Sequence, residues 1–155
     1  MTRKSFNEKL NDSKDMPKII TLDDEKIIER YGGKNILIAP PLEYNDIMSK
    51  IPKGKIITTK EIRTFLAKKY NADFTCPMTA GIFISLSAQA SHERKENKIP
   101  FWRTLKAGGE LNPKYPLGIE YQKEMLEKEG HSIFTKGRKN IRYFVNNYEE
   151  KLFNL

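Results

Sequence analysis

The chain has 155 residues, enough for one domain with a real core, and carries 38% hydrophobic and 31% charged residues, which excludes a disordered chain. No apolar run is long enough to span a bilayer, and no apolar segment follows the charges of MTRKSFNEKLNDSKD, so a cytoplasmic location without membrane contact is expected. The net charge of +8 favours a polyanionic partner, and a single cysteine, Cys76, rules out an internal disulfide framework.

Residues 1–18 mix charge signs without apolar periodicity and end at Pro17, which predicts a mobile N-terminal arm. Residues 19–43 read as a helix followed by an extended packing segment. In TLDDEKIIERYGG, Thr21 can cap a helix with Asp23, Asp24 and Glu25 in its first turn, where the helix dipole favours acids. Gly32-Gly33 stops it, and NILIAPP follows as a strand or extended segment. Leu42, Ile47, Met48 and Ile51 then recur near helical spacing before Pro52. TTKEIRTFLAKKYN predicts an amphipathic helix capped by Thr59, with Ile62, Phe65 and Leu66 on its inner face. A second helix is expected from Pro77, and the link after it, from Ala88 to Lys98, is long. A third, in IEYQKEMLEKEGHSI, turns Tyr121, Met125 and Leu126 inward and ends at Gly130. Residues 136–155 read as a C-terminal extension, a short strand from Arg142 to Val145 and a helical tail.

The first two of these long helices, a few residues apart, form a helix-turn-helix pattern, which many small helical folds also contain. More specific are three ordered stretches: IPKGKIITTKEIRTFLAKK, IPFWRTLKAGGELNPKYPLGIEYQKEML and EKEGHSI. Together they resemble the DNA-binding domain of the O6-alkylguanine-DNA alkyltransferases and their alkyltransferase-like relatives, over residues 44–135. The resemblance implies a mainly α fold with a few short strands, a winged-helix-like helix-turn-helix domain of the alkyltransferase C-terminal type. It also implies a minor-groove helix that extrudes an alkylated guanine, at an unstacking cost of about a few kcal/mol.

At the family's reactive centre, Pro-Cys-His-Arg, this sequence has Pro100 and Arg103 but Phe101 for the cysteine and Trp102 for the histidine. Phenylalanine cannot accept an alkyl group, so a non-enzymatic protein that binds double-stranded DNA, alkylated or not, is expected, with no cofactor. Glu129 matches the glutamate of the family's relay but has no histidine to polarise. Met78 falls near the family's intercalating arginine, where a methionine can wedge between base steps. Thr79 and Gly81 share its helix and are expected at the DNA.

Each residue also has a structural reading. Phe101 and Trp102 form either a stacking floor for a base or part of the core. Arg103 is a phosphate ligand or pairs with Glu129, and Tyr115 is a pocket wall or part of a rigid turn. Thr58, Thr59, Lys60 and Arg63, with Lys114, suit phosphate contacts, and an ordinary capped, solvated helix is the competing reading. Cys76, just before Pro77 at a helix start, is either an alkyl-accepting nucleophile or a small buried hydrophobe. His92 and His131 lack metal-ligand partners at a useful spacing, so no metal is expected. A protein- or small-ligand-binding module that has lost DNA is the remaining alternative.

Overall fold

The computed structural model describes residues 4–155; the first three residues of the expected arm lie outside the described residues. In chain order the helices are α1 (Phe6–Leu10), α2 (Glu25–Tyr31), α3 (Pro41–Ser49), α4 (Thr59–Lys69), α5 (Pro77–Glu93) and α6 (Gly118–Lys128). Between them lie strands β1 (Lys18–Thr21), β2 (Asn35–Ile38), β3 (Ile57–Thr58), β4 (Phe74–Thr75) and β5 (Thr104–Leu105), and after α6 come β6 (Ile133–Lys136) and β7 (Arg142–Val145). Short 3-10 turns occupy Phe101–Arg103, Ala107–Gly109 and Tyr148–Lys151. None of the described helices is long and apolar enough to cross a membrane.

The core fills the space between α3, α4 and α5. Tyr44, Ile47 and Met48 come from α3, Ile62 and Leu66 from α4, and Ile84 and Ala88 from α5, all nearly inaccessible. Burying each large side chain contributes about 1.5–3 kcal/mol. A second cluster, Ile56, Leu105, Leu111, Leu126 and Val145, joins α6 and β7 to the β3–β5 pair, and Trp102 packs against both clusters. Two inward assignments are corrected: Leu42 and Phe65 are exposed, and Tyr44 occupies the core position expected of Leu42.

α4, the turn after it and α5 are stitched to a small sheet of which the sequence pattern revealed only the NILIAPP segment. β1 pairs antiparallel with β2, and β2 pairs parallel with β4, which lies inside the turn between α4 and α5. The Cys76 amide donates to the Leu37 carbonyl (2.9 Å), and the Thr75 hydroxyl donates to the Arg63 carbonyl (2.8 Å). Asp73 Oδ2 accepts from the amides of Lys34 (3.1 Å) and Asn35 (2.9 Å). These bonds fix where α5 begins, and so where its exposed face points.

Thr21 ends β1, and the α2 cap is Asp24, whose Oδ1 accepts from the Lys26 amide at 3.0 Å. α4 starts one residue after Thr58, which is buried and hydrogen-bonded to the Glu61 carboxylate, so Thr58 rather than Thr59 is the cap residue. Residues 4–18 depart most from expectation. α1 docks on the end of α5: Glu93 accepts from the amides of Phe6 and Asn7, both at 3.1 Å, and Arg94 donates to Asn7 Oδ1 at 2.8 Å. β7 covers Arg142–Val145 and pairs with β6 in a hairpin, while the expected helical tail is only the turn at Tyr148–Lys151.

Gly33 packs against Asp73 so closely that an added Cβ would overlap that side chain. Gly33→Ala must displace Asp73 and break its two bonds to the β2 amides. We expect a loss of about 1–3 kcal/mol, a melting point several degrees lower in differential scanning calorimetry, and a similar loss for Asp73→Ala.

Candidate nucleic-acid interface

α5 carries no charged side chain between Pro77 and Ser91 (PMTAGIFISLSAQAS). At 3.6 residues per turn, Met78, Gly81, Ile82, Ser85 and Gln89 fall on one side of the helix. That side faces solvent: Met78 is 75% and Ile82 56% exposed, and an added Cβ on Gly81 would meet nothing. Large exposed apolar side chains on a helix otherwise packed into a core mark a surface made for contact.

Cations reach this face from other elements. Arg63 on α4, Lys106 and Lys114 share with Thr59, Gly81 and Ser85 a cleft of about 280 Å³. The expected DNA-facing residues Thr59, Arg63, Gly81 and Lys114 thus meet in one place. Lys60 and Arg63 also line a neighbouring cleft on the outer side of α4, and Met78 stands beside the shared cleft on the same helix. Thr79 is half-buried, its hydroxyl at 3.4 Å from the Cys76 carbonyl, and Thr58 is inaccessible, so the side chain of Thr58 is removed from the interface.

The loop from Lys106 to Tyr115 forms the far wall, and it is rigid for reasons the sequence pattern hides. Glu110 accepts twice from Arg142 (2.7 and 2.9 Å), and the Leu111 amide donates to the Tyr143 carbonyl (2.9 Å). The wholly buried Gln122 accepts from the Asn112 amide at 2.8 Å and donates to the Trp102 carbonyl at 3.1 Å. Gln89 donates to the Lys114 carbonyl at 2.9 Å, tying the loop to α5. Glu110, Asn112, Gln122 and Gln89 were not singled out from sequence. Their only signal is that polar side chains in an otherwise core-like stretch need partners.

Phe101 and Tyr115 are buried, which favours the structural reading of each over the pocket reading. Phe101 meets Tyr115 edge-on (5.4 Å between centroids, 82°) and Trp102 likewise (5.6 Å, 75°), and lies against Tyr121 at 6.1 Å. Such pairs contribute about 0.5–1.5 kcal/mol each beyond area burial. The Tyr115 hydroxyl donates to the Thr104 carbonyl at 2.8 Å, and burial pushes its phenol well above the ordinary range. Phe101 and half-buried Trp102 do border a second cleft, of about 520 Å³, with Ser91 and His92. That places it near the other end of α5, roughly 20 Å from Met78 at 1.5 Å of rise per residue. The aromatic pair and the expected wedge therefore do not form one pocket.

Arg103 and Glu129 form a buried pair. The Arg103 Nε donates to both carboxylate oxygens (2.9 and 3.1 Å), Nη2 to Oε2 (2.5 Å) and Nη1 to the Ile51 carbonyl (2.7 Å). With side chains only 14% and 6% exposed, neither is placed to hold phosphate. Burial pushes the Glu129 carboxyl up, but the Arg103 hydrogen bonds and charge outweigh it and hold it below the ordinary carboxylate value. The Trp102 indole N–H pulls the same way, although it stands outside hydrogen-bond geometry.

Cys76 precedes α5 and lines neither cleft. Burial, and then the nearby Cys76, push the phenol of the inaccessible Tyr44 upward. Buried His131, with both ring nitrogens unpartnered among the described residues, is held below the usual histidine value by burial, with Glu129 pulling the other way. His92 is exposed at the end of α5.

No family model and no curated protein matches the sequence. Among solved structures the fold is similar to that of S. pombe Atl1, an alkyltransferase-like protein, in complex with damaged DNA containing O6-carboxymethylguanine, at a TM-score of 0.50. A second structure, S. pombe ATL in complex with DNA, gives 0.53. Each is 22% identical over 74% of this chain and 94% of its own. The chain shares the fold of the alkyltransferase-like proteins.

Two outcomes follow from the buried groups. Glu129→Gln leaves Arg103 without its counter-charge and should cost about 3–5 kcal/mol in urea unfolding, with much of the loss recovered in the Arg103→Met, Glu129→Met double variant. Because the His131 pKa is depressed in the folded state, the unfolded chain binds more protons below the ordinary value of 6.5. Stability should therefore fall as pH drops through that value, by up to about 1.4 kcal/mol per unit. His131→Phe should flatten this slope between pH 7 and 5.5.

Proposed function

We propose that the protein binds double-stranded DNA without modifying it, presenting the uncharged face of α5 to the minor groove. The observation that carries this reading is the division of labour at α5. Its exposed face offers small and apolar side chains to a groove floor, while Lys60, Arg63, Lys106 and Lys114 flank it from neighbouring elements, where the phosphates would run. Minor-groove binders use apolar wedges to part base steps, with cations on the backbone, and Met78 is placed to be that wedge. Gly81 lets the helix backbone approach closely. The shared fold with proteins solved in complex with DNA supports the reading.

We further propose that distorted duplex, including duplex with an O6-alkylated guanine, is preferred. An extruded base would enter the cleft beside Gly81 and Ser85, walled by the 106–114 loop, rather than the aromatic cluster, which Phe101 fills. Prying apart steps that a lesion has weakened costs less than parting sound ones. The absence of a nucleophile at residue 101 supports recognition without alkyl transfer, and Cys76 is not among the residues lining the cleft. The winged-helix-like description rests on the β6–β7 hairpin, which follows the helices as a wing would.

Fluorescence anisotropy on matched duplexes, with and without one O6-methylguanine, tests both parts. Binding should weaken steeply with salt, and Arg63→Gln and Lys114→Gln should each lower the slope of log affinity against log salt by about 0.9. Met78→Ala should reduce the preference for the lesion while leaving that slope unchanged. No binding to any duplex at low salt would sink the reading.

A further inference from the structure

α5 borders a further groove, closed on its other side by the N-terminal segment. It encloses about 420 Å³. Phe6, Met16, Ile82, Phe83 and Leu86 form an apolar floor, and Lys4, Lys9, Lys14 and Lys114 stand around it. Asp12 is the only acid among the lining residues, and it is paired with Lys4 at 2.9 Å. Lys9 stands over the Phe6 ring at 5.7 Å, and Phe6 remains 40% exposed. Ser85 and Lys114 line this groove and the α4–α5 cleft alike, so the two are continuous across the exposed face of α5.

We propose that this groove holds an unpaired stretch of DNA adjoining the bound duplex, a proposal that rests on the DNA reading above. The chemistry selects a flexible polyanion with flat apolar faces. Bases freed from pairing can stack on Phe6 and lie over Ile82 and Leu86, while their phosphates meet Lys9, Lys14 and Lys114. A paired strand cannot use such a floor, because its bases are already stacked within the duplex. Continuity with the α5 face favours nucleic acid over an acidic peptide: a strand leaving the α4–α5 cleft reaches the groove by way of Lys114, with cations at both ends of the passage.

The groove exists because α1 is docked. Glu93 at the end of α5 accepts the amides of Phe6 and Asn7, and Asn7 Nδ2 donates to the Ala90 carbonyl at 3.0 Å. The N-terminal segment is thus a built wall that contributes Phe6 and three of the four lysines.

The test compares anisotropy on a blunt duplex with that on the same duplex carrying a few unpaired thymidines on the 3′ or the 5′ side. The wild-type protein should bind one of the tailed duplexes about tenfold tighter than the blunt one, the gain expected from stacking roughly one base. Phe6→Ala, and separately the Lys9→Gln, Lys14→Gln double variant, should lose that gain while holding the blunt duplex as the wild type does. Blunt-duplex affinity shows that each variant is folded. Equal wild-type affinity for tailed and blunt duplexes would overturn the proposal and leave the DNA reading standing. So would a gain that survives in both variants. Failure to bind even the blunt duplex would remove the reading on which the proposal rests, and the proposal with it.

Discussion

One guanidinium ties together parts of the chain that lie far apart in sequence. Arg103 reaches the end of α3 through the Ile51 carbonyl and the end of α6 through Glu129, while its own backbone belongs to the turn that carries Phe101 and Trp102. Three parts of the chain far apart in sequence are thereby held at one point, shielded from water. Removing either partner leaves a charge with no solvent to receive it, so the arrangement holds as a whole or fails as a whole. Arg103 and Glu129 satisfy each other here, which is a structural role rather than a chemical one.

Around that clamp the protein separates two tasks usually combined on one helix. On the proposed reading the helix that enters the groove is free of charge along its exposed face, and the duplex phosphates are met by basic side chains of α4 and the 106–114 loop. A net charge of +8 arises from 28 basic and 20 acidic residues, so it is their placement, not their excess, that shapes the field. Shape and charge can then change independently: a substitution on α5 alters fit, and one on its neighbours alters attraction and its sensitivity to salt.

The helices were legible because their apolar residues recur at helical spacing and are punctuated by Thr, Pro and Gly. The strands were legible in part: β7 is the strand expected at Arg142–Val145 and β2 lies within NILIAPP, but β1 and β4 gave no signal. β1 (KIIT) has both isoleucines exposed and shows no alternation between a buried and an open face, and β4 is two residues long inside a turn. The cleft was half legible. Arg63, Gly81 and Lys114 could be picked out by type and position, but Gln122, Glu110 and Asn112 could not, since their partners are backbone groups and an arginine distant in sequence. Phe101 and Tyr115 stayed open between wall and core for a related reason: an aromatic run signals a wall, and only packing decides which side of the wall is solvent. Residues 4–18 lack any periodic signal because the wall they form rests on backbone amides offered to Glu93.

The parallel pairing of Ile57 with Thr104 and Thr58 with Leu105 fixes both ends of the segment that contains α4 and α5. The α4–α5 pair is therefore clipped at its base by β3 and β5. Lys98 and Ile99 are anchored to the Ser91 region, and Lys95 and Glu96 lie exposed between the anchors. Closing a longer loop there costs only about 0.6 kcal/mol per doubling. α5 runs on to Glu93, so the long link expected from Ala88 to Lys98 is corrected to a short one after the helix. Lys95 and Glu96 offer a place to graft a fluorophore or an affinity tag without touching the α4–α5 cleft or the groove beside the N-terminal segment.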